Sequence, residues 1–258
     1  DMIDFKHSGF VSDIIYSLPA IKKACDINGE QANLHLEVNI PNEDKDKPGY
    51  PYSPFRLMKE EVEMLKGLLE SQTYINEVKV FDGDNSIINV DLGLCKTQPI
   101  NFAAGNISRH YFSMMGVYDS LEKPSLKVKT NERFNNRIVV SRSLIYQNKN
   151  VDWSVLNDFK DVEYYFIGSN MEFKDIATRV NNIKQVPFKD YNEVAKIIKG
   201  CSLFIGNQNM FYSIAESLKV KRMLEVCPYS PNVIPSGGEN YDIHYSKLLE
   251  FLIDKHVN

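Results

Sequence analysis

The sequence predicts an α/β fold built as two Rossmann-like lobes facing a cleft, and three observations carry that prediction. Short apolar, β-branched runs alternate with amphipathic stretches along the whole chain, as strands joined by helical crossovers require. Two halves of similar strand and helix content flank a polar, asparagine-bearing stretch at 124–136, the candidate linker. Strand candidates end in Gly or Ser just before a helix, at Gly9, Ser141, Gly168 and Gly206, the ligand-facing edge of a doubly wound sheet. The lobes are expected over 1–130 and 131–240, with a C-terminal helix over 241–258 packing back on the first.

In order, residues 2–6 read as a first strand. Residues 14–26 read as a helix, because Ile14, Ile15, Leu18 and Ile21 recur at helical spacing; Pro19 then marks a first turn or a kink. "ANLHLEV" (32–38) alternates as a half-buried strand. Residues 41–54 hold four prolines and read as a loop, either an excursion without structure or an acceptor-side flap. "KEEVEMLKGLLE" (59–70) is an amphipathic helix burying Val62, Leu65, Leu68 and Leu69. Strands are expected at 77–81 and 87–92, and a helix at 107–116 ending on Gly116. In the second half, strands fall at 137–143, 162–168, 184–188, 202–207 and 221–227. Helices fall at 172–182, 191–201, 210–220 and 241–255.

Composition narrows the function classes. The chain has 258 residues, 43% hydrophobic and 25% charged, with net charge −4 and a pI of about 5.8. That balance disfavours a nucleic-acid binder with a broad basic face. A local groove from Lys45, Lys47, Arg56 and Lys59 is the form such a site would take, although Glu43, Asp44, Asp46, Glu60 and Glu61 interleave with it. No apolar run is long enough to span a bilayer, so membrane contact would be peripheral. The start, DMIDFKHSG, lacks a signal-peptide layout, and the expected location is the cytoplasm. Cys25, Cys95, Cys201 and Cys227 are widely spaced and read as free thiols. Neither HExxH spacing nor clustered acids point to a metal.

Three junctions can carry chemistry. His7, Ser8 and Gly9 follow the first strand, and Ser12 and Asp13 open the next helix; Asp13 is either a helix N-cap or a functional carboxylate. Ser141, Arg142 and Tyr146 follow a buried strand, where a guanidinium can clamp a phosphate or pair with a carboxylate. Gly206, Asn207, Gln208, Asn209 and Met210 form a polar turn into a helix N-terminus, suited to an anion or simply to capping. Gly237 and Gly238 sit in a further cleft-end loop, while Trp153, His35 and His110 read as structural.

Taken in order, "SGFVSDIIYSLPAIKK" and "GCSLFIGNQNMFYSIAESLKVKRMLEV" resemble the opening and the second signature of glycosyltransferase family 9, the ADP-heptose:lipopolysaccharide heptosyltransferase group, and "FIGSNMEF" resembles its strand-Gly-acid segment. The resemblance implies a GT-B fold and inverting transfer from a nucleotide-diphosphate sugar to a hydroxyl acceptor, a glycan or lipid-linked one included. It implies no metal and no cofactor beyond that co-substrate. It makes Asp13 the general base and places His7, Ser8, Gly9 and Ser12 on the acceptor side. On the donor side it places Ser141, Arg142 (or Lys149), Tyr146, Gly168, Glu172 and the turn from Gly206 to Met210. Ser12 stands where the family usually has Gly, and Asn207-Gln208-Asn209-Met210-Phe211-Tyr212 replaces its Asp-Ser/Thr-Gly-x-x-His turn, so heptose itself is not implied. Two other readings stay open: a non-catalytic nucleotide- or sugar-phosphate-binding module, and an epimerase or hydrolase using His7.

Overall fold

The computed structural model describes residues 2–97 and 99–258. The first lobe comprises β1 (Met2–His7), α1 (Val11–Asn28), β2 (Gln31–Leu36), α2 (Lys59–Glu70), β3 (Ile75–Val80), β4 (Val90–Asp91) and α3 (Ile107–Met115). Its sheet runs β3-β2-β1-β4, all parallel. The second lobe comprises β5 (Ile138–Ser141), β6 (Tyr164–Phe166), α4 (Asn170–Ala177), β7 (Ile183–Gln185), α5 (Tyr191–Gly200), β8 (Leu203–Asn207), α6 (Met210–Leu218), β9 (Arg222–Glu225), β10 (Asn240–Ile243) and α7 (Ser246–Val257). Its sheet, also parallel, runs β10-β9-β8-β5-β6-β7. Counted from β5, that is the Rossmann order 3-2-1-4-5-6. The expected pair of Rossmann-like lobes is therefore present.

The strands form where the chain must be apolar on both faces. Every residue of β5 (IVVS), β8 (LFIGN) and β9 (RMLE) is buried, as strands covered by helices on both sides should be. α2 is amphipathic and buries Val62, Leu65, Leu68 and Leu69, each worth about 1.5–3 kcal/mol of transfer free energy. Its N-terminus is closed by Glu61, which accepts the Met58 N–H at 2.9 Å.

The lobes are fused. α1 packs on α6 and α2 on α5. One apolar core runs through both, joining Ile14, Ile21 and Leu65 to Val194, Ile214 and Leu218. A second cluster, with Trp153, Met223, Leu249 and Leu252, lies on the other side of the second sheet.

Several expectations are corrected. α1 starts at Val11, three residues early, because the loop before it is only Ser8 to Phe10. Residues 87–92 contribute only the two-residue β4, flanked by 3-10 turns. Residues 240–243 are a strand, paired to β9, and not the start of the last helix. α7 packs on that strand and on the turn carrying Trp153. The stretch 124–136 is bound to both lobes rather than free: Ser125 and Leu126 donate to Ser217 O, Lys127 to Gln72 Oε1 and Asn131 to Lys196 O. In and beside 41–54, three of the four expected groove cations, Lys45, Lys47 and Arg56, pair with Asp46, Asp44 and Glu43. Cys25, Cys95, Cys201 and Cys227 are free thiols. No helix among the described residues is long and apolar enough to cross a membrane.

Candidate functional site

β1 lies between β2 and β4, so the connections leaving it and its neighbour diverge and open a crevice at their carboxyl ends. Two loops meet there: His7-Ser8-Gly9-Phe10 after β1, and the 3-10 turn Leu92–Lys96 after β4. Asp13 occupies the third position of α1, not the N-cap. From there its Oδ2 reaches back to accept the Phe10 N–H at 3.1 Å. The same oxygen takes Lys96 Nζ at 2.8 Å, and Asp13 is only 5% exposed. Lys96 Nζ is in turn sandwiched over the rings of Phe10 and Phe102, 5.0 Å from each centroid. The carboxylate is therefore buried, ion-paired and held by one oxygen, leaving Oδ1 for other chemistry.

Small residues make this packing possible. A Cβ on Gly9 would lie 2.7 Å from Asp13 Oδ2 and 2.7 Å from His7 Cε1, and one on Gly93 would lie 2.2 Å from Ser8 Oγ. His7 is buried, its Nδ1 accepts the Gly9 N–H at 3.0 Å, and its ring lies 5.5 Å from that of Tyr111. That bond assigns the neutral Nε2–H tautomer, whose Nε2 meets no partner. Burial pushes His7 down to about 4; the Asp13 carboxylate opposes this and Lys96 adds to it. A neutral imidazole with an occupied Nδ1 has no carboxylate of its own, which weakens an epimerase or hydrolase role.

The second lobe has its own crevice between β5 and β8, where Ser141 stands opposite Gly206. A Cβ on Gly206 would lie 3.0 Å from Ser141 O. Most of the expected donor residues here bond within the protein. Arg142 takes the carboxylate partner: Nε and Nη2 each donate to Glu225 at 2.8 Å, and both residues are buried. Glu225 also accepts the Trp153 Nε1–H and the Asn148 N–H, so its carboxylate is satisfied within the lobe. Asn207 knits the loop after β5, accepting from Ser143 N and donating to Ile145 O. Gln208 donates to Ser230 O and accepts from Cys227 N, while Asn209 caps α6 at Tyr212 N and donates to Ser141 Oγ. The three amides thus bond to the protein's own backbone and side chains, and Met210 stands at the first turn of α6. Lys149 is exposed.

Other expected residues do gather at the cleft. Tyr146 holds a left-handed backbone (φ 59°), costly for a non-glycine residue, and its half-buried phenol is raised well above the ordinary range, first by burial and then by the charges of Asp13 and Asp44. Gly168 lets Glu172 approach, since a Cβ there would lie 2.8 Å from Glu172 Oε2. Glu172 opens α4, where its Oε2 accepts the Ser169 N–H at 2.7 Å. Its Oε1 accepts from Tyr52, which arrives from the first lobe. At the other end, Asn232 donates to Phe102 O and accepts from Ile107 N, stitching the lobes together.

Sequence reasoning missed Lys96, Tyr52 and Glu225. Lys96 reaches the site because β4 pairs with β1, which brings the loop after β4 against the loop after β1. Tyr52 and Glu225 carry no local pattern. Among the described residues no group of three His, Cys, Asp or Glu side chains is placed to hold a metal.

No protein-family model and no curated protein matches the sequence. Solved structures do. E. coli heptosyltransferase WaaC with ADP superposes with a TM-score of 0.63 at 10% identity, covering 99% of this chain and 100% of that one. E. coli ADP-heptose lps heptosyltransferase II gives 0.59 at 12%, covering 100% and 99%. The glycosyl transferase family 9 protein from Veillonella parvula gives 0.54 at 9%, covering 99% and 88%. The chain carries the two-lobed GT-B-like fold of the heptosyltransferases and family 9 glycosyltransferases.

Proposed function

We propose that this protein is a nucleotide-sugar glycosyltransferase working by inversion, with Asp13 as its general base. The observation that carries the reading is the buried Asp13–Lys96 pair at the switch point of the first lobe, in a fold shared with heptosyltransferases over the whole chain. In the proposed reaction Asp13 Oδ1 takes the proton of an acceptor hydroxyl as its oxygen attacks the anomeric carbon. The bond from that carbon to the diphosphate oxygen breaks, and the nucleoside diphosphate leaves with the electron pair. Lys96 fixes the carboxylate from its other oxygen. Developing charge on the leaving group falls to the N-terminal turn of α6, since Arg142 is committed to Glu225. The nucleotide sugar is the co-substrate, and no resident cofactor or metal enters the scheme.

The test is nucleotide release from ADP-, GDP-, UDP- and dTDP-linked sugars in the presence of a glycan or lipid-linked acceptor extract. Asp13→Asn should lower turnover by about 10²–10⁴-fold while the donor still raises Tm by mass action. A second reading, a binding module without turnover, is favoured by the internal bonding of Arg142, Asn207, Gln208 and Asn209. Donor binding with equal, negligible release from wild type and Asp13→Asn would select it.

A further inference from the structure

The segment between β2 and α2 is a hairpin in form. Its stalk is closed by Asn39 N–H to Leu57 O, Arg56 N–H to Ile40 O and Asn42 N–H to Pro54 O, at 2.8–2.9 Å, with Pro41 bridging Phe55. Buried Asn42 braces the tip by donating to Tyr50 Oη at 2.7 Å and accepting Asp44 N–H at 3.0 Å. The rings of Tyr50 and Tyr52 meet edge to face at 5.8 Å. Tyr52 then leaves the first lobe altogether. Its hydroxyl donates to Glu172 Oε1 at 2.7 Å and accepts the Leu144 N–H at 2.8 Å. Among the described residues these are the hairpin's only hydrogen bonds to the second lobe.

The place where Tyr52 lands has a meaning set by topology. Glu172 follows β6, the second strand of the Rossmann order, and an acid after that strand is placed to accept ribose hydroxyls. One of its oxygens is spent on the Ser169 N–H, and the other is the one Tyr52 covers. A phenolic O–H and a ribose O–H are the same kind of donor to a carboxylate. We infer that Tyr52 is a latch: its hydroxyl fills the subsite that reads a nucleoside's ribose, and the hairpin swings off Glu172 when a ribonucleotide enters. The inference rests on the donor reading above. Burial and the neighbouring Glu172 charge keep the phenol protonated, so the latch stays a donor throughout the ordinary pH range. A resting population closed by two hydrogen bonds lowers apparent nucleotide affinity by the fraction that is open.

Calorimetric titration of ADP, GDP, UDP and CDP into wild type and Tyr52→Phe tests this, alongside the 2′,3′-dideoxy form of whichever binds. The variant keeps the ring and loses only the hydroxyl. One ribonucleotide should bind Tyr52→Phe about tenfold more tightly than wild type, and the dideoxy form should show no such gain. Equal or weaker binding to the variant would overturn the latch while leaving the donor site standing. Failure of every nucleotide to bind either protein would overturn both.

Discussion

His7 and Asp13 show how one turn can hold two titratable groups against quite different partners. His7 is enclosed, neutral and spends Nδ1 on the Gly9 amide; Asp13, in the first turn of α1, has Lys96 against it. The pH consequence follows from the imidazole. Its folded value of about 4 lies below the 6.5 of an exposed histidine, so the unfolded chain takes up the proton first as pH falls. This contribution to stability is complete above pH 6.5 and drains away toward pH 4. By pH 4.5 the wild type should have lost on the order of 2–3 kcal/mol through this group. His7→Asn, which can still accept the Gly9 N–H but cannot titrate, should lack that loss. Urea denaturation at pH 7 and pH 4.5 measures the difference.

At the scale of elements, the buried Arg142–Glu225 pair ties the end of β5 to the end of β9, with Asn148 and Trp153 supplying the remaining donors. Arg142→Met leaves a carboxylate buried without its counter-charge and should cost roughly 3–5 kcal/mol, read as a lowered Tm without any ligand present. A clamp waiting for phosphate would leave the apo Tm unchanged. The contrast marks what was legible beforehand. Periodicity found β1, β2, α2, α5, β8 and α6, because two-sided burial and amphipathic spacing are written locally. The first-junction carboxylate was legible too, since a βα turn places it by topology. Which of its two expected partners Arg142 takes is not written locally, because the carboxylate it meets is 83 residues away, on a strand whose single acid looks like any other. β10 was folded into the last helix because "NYDI" gains its strand character only from pairing with β9. Tyr52 escaped notice for the same reason: the residue it meets is 120 positions distant.

At the scale of the molecule, the two sheets do not sit on either side of an open gap. Helices α1 and α2 of one lobe bury their faces against α6 and α5 of the other, and the apolar core is continuous across them. The segment 124–136 is bonded to both sides, and Asn232 and Tyr52 close the cleft at separate points. Such sharing puts one face of each lobe's sheet and its covering helices into a common core. Thermal unfolding should therefore be one transition, with calorimetric and van't Hoff enthalpies equal, in place of the two steps expected of independent domains.

Trp153 gives that cooperativity a convenient witness. It is the chain's single tryptophan, buried with its indole N–H on Glu225 and the Arg142 guanidinium 5.5 Å over its ring. All intrinsic indole emission thus originates from one sheltered point beside β9, in the second lobe's own apolar cluster. In a molecule whose halves melt together, that lone chromophore would register the loss of distant β1 and α2 as faithfully as the loosening of its own surroundings. Its red shift on denaturation is an optical readout of the whole chain from a single site.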